Sequence, residues 1–354
     1  MKIVHFAPFA PFACGLYEAA RDMVIADRMQ GHEVHLIDVG VTVNGTHTPG
    51  EAGKIDDRGV SKVVSSSPDE VWTADVIVAH TGIPDNWIAP CVAPIVWIMH
   101  GRPRACFSPE YGGNGHSYSL IAQLARWPRV KKLVTFWPYH TQFWDVIIPE
   151  EKLVTLPAPP IDEARFRKEG KAHDFTAMGS KWNIVIAESW REDVDTFEIV
   201  HGAVEYAKIA NDVRFHFYAM EQQLKCWEYI FSALRNLGAL GEIWARRPNI
   251  EEVYRSADLV LSPQRITTRS VGEALSCEVP VIASNGCEYA TYNVASDNPI
   301  EVRDVIKQAV MDMSFDKDAV IEKVRAAKAN FSLDKIGRQM TEVYESCISP
   351  AIIG

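Results

Sequence analysis

At 354 residues the chain is longer than one ordinary hydrophobic core and predicts two domains. Its composition, 47% hydrophobic and 23% charged, excludes the collagenous, low-complexity and disordered classes, and no apolar run approaches the roughly 20 residues of a membrane span. A net charge of −10 argues against general affinity for polyanions. The seven cysteines are odd in number and contain no Cys-x-x-Cys pair, so neither a disulfide framework nor a zinc site is indicated. The opening residues, MKIVHFAPFAPF, lack the basic region, apolar core and cleavage site of a signal peptide, and the expected location is the cytoplasm.

In chain order, KIVHFA (2–7) reads as a strand, followed by the loop PFAPFACG, a helix from Leu16 to Gln30 with Gly31 as its C-cap, and the strand HEVHLIDVG. Gly15 stands at the N-terminus of that helix, where backbone N–H groups can hold a phosphate. DVIVAHTG and PIVWIMHG are two further strands, placing His80 and His100 at strand carboxyl ends, the ligand edge of such sheets. Loop backbone is expected to satisfy His80. A Gly- and Pro-rich loop (101–118), the strand KKLVTFW, a helical connection (139–149) and the strand KLVTLPAP follow. Between residues 100 and 132, Arg102, Arg104, Arg126, Arg129, Lys131 and Lys132 face only Glu110, a local charge of +5. The polar segment from Ala158 to Lys181 reads as an interdomain linker.

The second half restarts the alternation. WNIVIAES is a strand, 194–210 an amphipathic helix, VRFHFYAM a strand, Gln222–Leu237 a helix and EIWA a short strand. IEEVYRSADLVLSP reads as helix then strand, and helices at 299–312, 317–329 and 333–347 close the chain. Residues 267–286, TTRSVGEALSCEVPVIASNG, read as loop, short helix, buried strand and turn. Ser270 is expected as N-cap, with Glu273 three residues later. Two roles stay open for Glu273: closing a capping box, or accepting hydrogen bonds from a ribose diol beside the strand's carboxyl end.

Taken together, KIVHFAP, Cys14-Gly15, Gly31-His32-Glu33-Val34, Pro149-Glu150-Glu151-Lys152-Leu153, Pro159-Pro160-Ile161-Asp162 with Phe166, the helix–Ala257-Asp258–strand–Pro263 run, and Glu273-Ala274-Leu275 with Pro280-Val281-Ile282-Ala283-Ser284 form an ordered set. It spans almost the whole chain and resembles the GT-B glycosyltransferases, in particular the retaining family four. The resemblance implies an α/β chain of two Rossmann-like domains facing a cleft: an acceptor-side domain over 1–157, a linker over 158–181, a nucleotide-sugar-binding domain over 182–332, and a terminal helix in 333–354 packing back on the first domain. It also implies a hexosyl- or pentosyltransferase that moves a sugar from a nucleotide-sugar, a UDP- or GDP-sugar, to an acceptor hydroxyl with retention. No metal and no separate cofactor are expected.

Carried over by motif, Glu273 binds the donor ribose, Ser270 and Val271 lie by the diphosphate, Gly15 faces the leaving phosphate, and His100 lies near the transferred sugar. The departures are specific. Arg265 stands where the family's first motif glutamate belongs, a single Gly272 remains of the glycine-rich loop, and Glu278 replaces the glycine before Val-Pro-Val. The usual Arg/Lys pair is absent, which leaves Arg191, Arg265 and Arg269 to supply the cation that a departing diphosphate requires. Arg102, Arg104 and Trp127 are the acceptor-side candidates. The acceptor is left open among a glycan, a small molecule and a modified nucleic acid. Two other readings stand beside this one: a phage-type enzyme glycosylating a hydroxymethylated DNA base, and a non-catalytic or epimerase-like nucleotide-sugar binder.

Overall fold

A computed structural model describes residues 1–8, 15–39, 41–43, 46–48, 59–60, 62–63, 69–83, 91–100, 118–175, 179, 182–188, 199–219, 227–264, 267–296 and 298–348. The chain divides into two compact units, one formed by Met1–Pro160 with Ser332–Gly354 and the other by Ile161–Phe331.

The strands of the first unit are β1 (Lys2–Ala7), β2 (Glu33–Asp38), β3 (Val41–Val43), β4 (Thr46–Thr48), β5 (Lys62–Val63), β6 (Val76–Ala79), β7 (Ile95–Met99), β8 (Val130–Phe136) and β9 (Leu153–Leu156). Seven of them make one parallel sheet in the order β5-β2-β1-β6-β7-β8-β9, while β3 and β4 pair as an antiparallel hairpin that the sequence reading did not anticipate. β6 and β7 are buried along their whole length, which is why VIVA and IVWIM read as unbroken apolar runs. Phe6, Ile77, Ile95, Trp97, Leu133 and Trp144 form the centre of the core on one face.

On another side of this unit, the Gly15–Met29 helix packs against the terminal helix, Leu333–Ile348. The two backbones meet at Gly337, where a Cβ would lie 2.9 Å from the Ala26 carbonyl oxygen. Tyr344 and Met340 of the terminal helix are fully buried, and the His32 ring pairs with Thr341 at 2.9 Å.

The second unit holds β10 (Trp182–Ala187), β11 (Val213–Tyr218), β12 (Leu240–Ile243), β13 (Leu259–Leu261), β14 (Val281–Ser284) and β15 (Tyr292–Val294) in the order β12-β11-β10-β13-β14-β15, all parallel. β15 was not anticipated. The helices over 194–210 and 222–237 are described from Ile199 to Ala207 and from Glu228 to Asn236. The Pro299–Phe315 helix opens as its sequence dictates: the Asn298 side chain accepts from the Ile300 N–H at 2.9 Å, with proline at the first helical position.

The segment read as a linker belongs to the second unit from Ile161 onward. Its backbone is held from outside. Arg255 donates to the carbonyls of Arg165, Arg167 and Lys171, the Arg165 guanidinium bonds Glu251 and the Pro248 carbonyl, and Phe166 and Phe175 are buried. The polar composition that suggested a tether reflects charged groups spent on docking it.

The close approach at Gly337 generates a signed prediction. In an unobstructed helix Gly→Ala is stabilising by up to about 1 kcal/mol. Gly337→Ala should instead lower the unfolding free energy by about 1–3 kcal/mol, because the neighbouring atom is backbone and cannot turn aside. Urea titration of the full chain measures the sign, and a raised midpoint would contradict the packing described.

Candidate functional site

In a parallel sheet every strand presents its carboxyl end at the same edge, and where the strand order reverses the connections diverge and leave a crevice. In the second unit the order reverses between β10 and β13. Glu188 follows β10, Ser262 and Gln264 follow β13, and all three are buried. The Glu188 Oε1 accepts from the Thr268 hydroxyl at 2.7 Å, from Ser262 at 3.3 Å, and from Ser270. The carboxylate thus sits at the N-terminus of the Arg269–Ser276 helix, where the backbone dipoles favour negative charge. Sequence reasoning missed Glu188. The available signal was an acidic residue closing the apolar run WNIVIA at a switch point.

The start of this helix differs from expectation. Thr268, not Ser270, is the N-cap residue, in extended conformation and with no side-chain capping bond. Ser270 lies within the first turn and gives its hydroxyl to Glu188. The capping-box reading therefore fails on geometry. Glu273 instead accepts from Arg269 Nε at 2.9 Å, one turn back on the same face, with both side chains largely buried. Val271 is fully buried and its N–H reaches the Thr268 carbonyl at 3.2 Å. Beneath them lies Tyr254, whose phenol is pushed up first by burial and then by the Glu273 and Glu188 carboxylates.

Gly272 has a packing role: a Cβ there would lie 2.5 Å from the Phe331 ring, so only glycine lets the helix approach. Glu278 occupies a left-handed backbone position, φ 60°, which explains why a glycine suits that place. Its carboxylate is gripped by both Arg325 Nε and Nη2, at 3.1 and 2.9 Å, and held below the usual carboxylate range chiefly by that hydrogen bonding. Arg265 and Arg191 lie outside the described residues, as do Arg102 and Arg104.

In the first unit the order reverses between β1 and β6. Gly15 opens the helix after β1, and among the described residues outside its own helix no atom lies within 4 Å of where a Cβ would stand. Across the reversal runs a line of polar side chains. The terminal helix's Tyr344 donates its hydroxyl to Asp27 Oδ2 at 2.9 Å, and the same oxygen lies 2.9 Å from His5 Nε2. His5 Nδ1 lies 2.9 Å from His80 Nε2, and His80 Nδ1 lies 2.8 Å from His100 Nε2. Asp27, His5 and His80 have no exposed surface, and His100 is half-buried. His80 is thus held by two imidazoles rather than by loop backbone.

Burial and the nearby Arg28 charge push His5 down to about 3, and burial with the His5 neighbour pushes His80 well below its ordinary value. Burial raises Asp27 to about 7, against the Tyr344 hydrogen bond and the His32 charge, which both favour the carboxylate. A histidine inside the apolar strand KIVHFA and an aspartate on the buried side of a helix were the only sequence signals for His5 and Asp27.

Trp127 stands elsewhere. It precedes β8 at its amino end, whereas His100 follows β7 at its carboxyl end, so these parallel neighbours place the two residues at opposite edges. Trp127 packs on the core, its carbonyl accepts from Lys152 Nζ at 3.1 Å, and the Arg129 guanidinium lies over its ring at 5.7 Å. Arg129 and Lys132 also donate to backbone carbonyls, of Ala93 and Glu151. Arg129 and Lys132 of the basic stretch are thus engaged in holding their own fold. Among the described residues no group of three or more His, Cys, Asp or Glu is arranged to hold a metal ion, and no helix is long and apolar enough to cross a membrane.

No protein-family model matches the chain, and no curated protein matches it by sequence. Solved structures match over its whole length. A glycosyltransferase from Rickettsia africae ESF-5 superposes with a TM-score of 0.68 at 15% identity, covering 99% of each chain. Anabaena Alr3699/HepE, solved in complex with UDP and glucose, gives a TM-score of 0.68 at 13% identity over 98% of this chain and 100% of its own. The fold is GT-B. Sucrose-phosphate synthase from Thermosynechococcus elongatus shares the GT-B fold with this chain at a TM-score of 0.69 and 11% identity, over 97% and 98% of the two chains.

The buried titratable line sets a pH dependence. The unfolded chain binds a proton at His5 and at His80 below about pH 6.5, while the folded chain leaves both neutral, so each contributes stability that is lost as pH falls. Asp27 acts oppositely: its raised value means that stability falls as pH rises from about 4 to about 7, which offsets one of the two histidines in that window. These three groups together should therefore cost about 1.4 kcal/mol of unfolding free energy per pH unit of acidification between pH 6 and 5. Urea titrations at these pH values should show the slope in the native chain and its loss in His80→Asn.

Proposed function

We propose that the protein is a glycosyltransferase that takes a hexosyl or pentosyl group from a UDP- or GDP-sugar and transfers it to an acceptor hydroxyl with retention. The observation that carries this reading is the Arg269–Ser276 helix. Its N-terminus stands at the reversal point of the second sheet, with an arginine in the first turn and Glu273 on the same face. The full-length likeness to glycosyltransferases, among them one solved with UDP and glucose, supports the same assignment.

In the proposed complex the diphosphate lies against the helix N-terminus near Ser270 and Val271, where the helix dipole favours an anion. Arg269 carries the positive charge that stabilises the departing diphosphate, without need of a metal ion, and Arg191 and Arg265 are further candidates for that role. Glu273 accepts the ribose hydroxyls, and its ion pair with Arg269 holds its rotamer for them. Glu188 fixes the Thr268 and Ser270 hydroxyls and so sets the first turn before the donor arrives. Retention follows if the leaving phosphate oxygen itself takes the acceptor proton.

Thermal unfolding in the presence of UDP, GDP, ADP and their glucose conjugates tests the donor site. One nucleotide should raise the Tm with a concentration dependence set by its Kd. Glu273→Ala should weaken that binding about tenfold or more, the cost of a buried hydrogen bond from a charged group, and should abolish slow hydrolysis of the matching nucleotide-sugar. No Tm change with any of the six compounds would overturn the assignment, and binding without hydrolysis or transfer would convert it to that of a nucleotide-sugar binder.

A further inference from the structure

The line from Tyr344 to His100 has a property that its separate hydrogen bonds do not. It contains three contacts that each need one proton: Asp27 to His5, His5 to His80, and His80 to His100. Each of the two inner imidazoles uses both of its ring nitrogens in these contacts, and a neutral imidazole carries one N–H. His5 and His80 thus supply two of the three protons, and the third comes from one end. If His100 supplies it from Nε2, every bond points toward an ionised Asp27 and His100 Nδ1 is an acceptor. If Asp27 supplies it, every bond points the other way and His100 Nδ1 carries hydrogen.

We propose that Tyr344, Asp27, His5 and His80 form a positioning relay that decides which ring nitrogen of His100 carries its proton. The rings are close to parallel, 5.2 Å between the centroids of His5 and His80 and 5.0 Å between those of His80 and His100, so the same plane is presented at each step. The inner members are sealed from water. It also crosses the strand-order reversal of the first sheet, where β1 pairs with β6, and it ends at the carboxyl end of β7.

The proton movement balances. A proton arriving from water at His100 Nδ1 releases the Nε2 proton to His80 Nδ1. His80 passes its Nε2 proton to His5 Nδ1, and His5 passes its own to Asp27 Oδ2. Three neutral imidazoles each change tautomer, and one carboxylate becomes a neutral acid. No imidazolium is left in the interior, in keeping with the downward push of burial on His5 and His80. Asp27 suits the terminus: burial holds its value at about 7, and its Oδ1 has no hydrogen-bond partner among the described residues.

Several described groups act on the line. On the Gly15–Met29 helix and the turn after it, Arg28 acts on His5 and His32 on Asp27. From the terminal helix Tyr344 bonds Asp27, with Cys347 acting on Tyr344, and from β8 the Phe136 ring lies 5.9 Å from His100. Burial first, then the Asp27 carboxylate, raises Tyr344 well above its ordinary value, so its hydroxyl remains a donor throughout. Use of the relay in sugar transfer rests on the function proposed above; the relay itself does not.

The test therefore needs no substrate. Full-length protein labelled with ¹⁵N at histidine shows which ring nitrogen of each imidazole carries hydrogen. Between pH 8 and pH 6, His5, His80 and His100 should exchange tautomers together, with a shared midpoint near the Asp27 value of about 7. Asp27→Asn should freeze all three in one polarity across that range. Tyr344→Phe, which keeps the ring in its packing, should move the midpoint upward by about one pH unit, because it removes a hydrogen bond to the charged form. Tautomers that stay unchanged in the native protein, that change at separate midpoints, or that still exchange together in Asp27→Asn would overturn the proposal. A midpoint unmoved in Tyr344→Phe would remove Tyr344 from the relay. None of these outcomes depends on whether a nucleotide-sugar binds.

Discussion

Both units depend on one constraint. An all-parallel sheet must bury both faces, and its strand order must reverse somewhere to place helices on each. At the reversal, adjacent connections leave in opposite directions and nothing covers the strand ends. In the first sheet this place lies between β1 and β6, and in the second between β10 and β13. The polar residues that the surrounding core does not account for gather there: His5, His80 and the nearby His100 in one unit, Glu188 with Ser262, Thr268 and Ser270 in the other.

The two clusters solve the cost of burying polar groups differently. An isolated buried charge is expensive, and the structure either neutralises it or surrounds it with donors. The first unit neutralises: burial drives His5 and His80 toward their uncharged forms and Asp27 toward its acid, so the line can be fully bonded without net charge inside. The second unit surrounds: Glu188 collects hydroxyls at a helix N-terminus, and Glu273 is met by Arg269 one turn inside the same helix.

Packing fixes both places from behind. Gly272 lets its helix close on Phe331, and Gly337 lets the terminal helix close on the Ala26 carbonyl, which brings Tyr344 within reach of Asp27. Glu278 shows how a turn that suits glycine can carry a charged side chain. The backbone there takes a left-handed turn, and Arg325 restrains the side chain. At 11–15% identity to chains of the same fold, what persists is the alternation of buried strand and amphipathic helix, because a parallel sheet requires apolar runs of a certain length rather than particular residues.

The amino-acid sequence by itself determined the α/β class, most of the strands and the terminal helices. Runs such as VIVA, IVWIM and VIAS have only one low-energy use, and Asn298-Pro299 marks its helix start through local chemistry alone. It also located the Arg269–Ser276 segment and placed His100 at a strand's carboxyl end. What only the tertiary structure decided was which polar groups meet. Asp27 and Tyr344 are 317 positions apart, His5 and His80 are 75 apart, and Glu188 and Ser270 are 82 apart. Periodicity and capping signals act over a turn or two of chain, so they carry no information on contacts of that separation. The same limit turned the expected Ser270 cap into a Glu188 partner, and set Trp127 at the edge away from His100. The partners of a buried side chain are set by sheet order and helix docking, and these emerge only when the whole core closes.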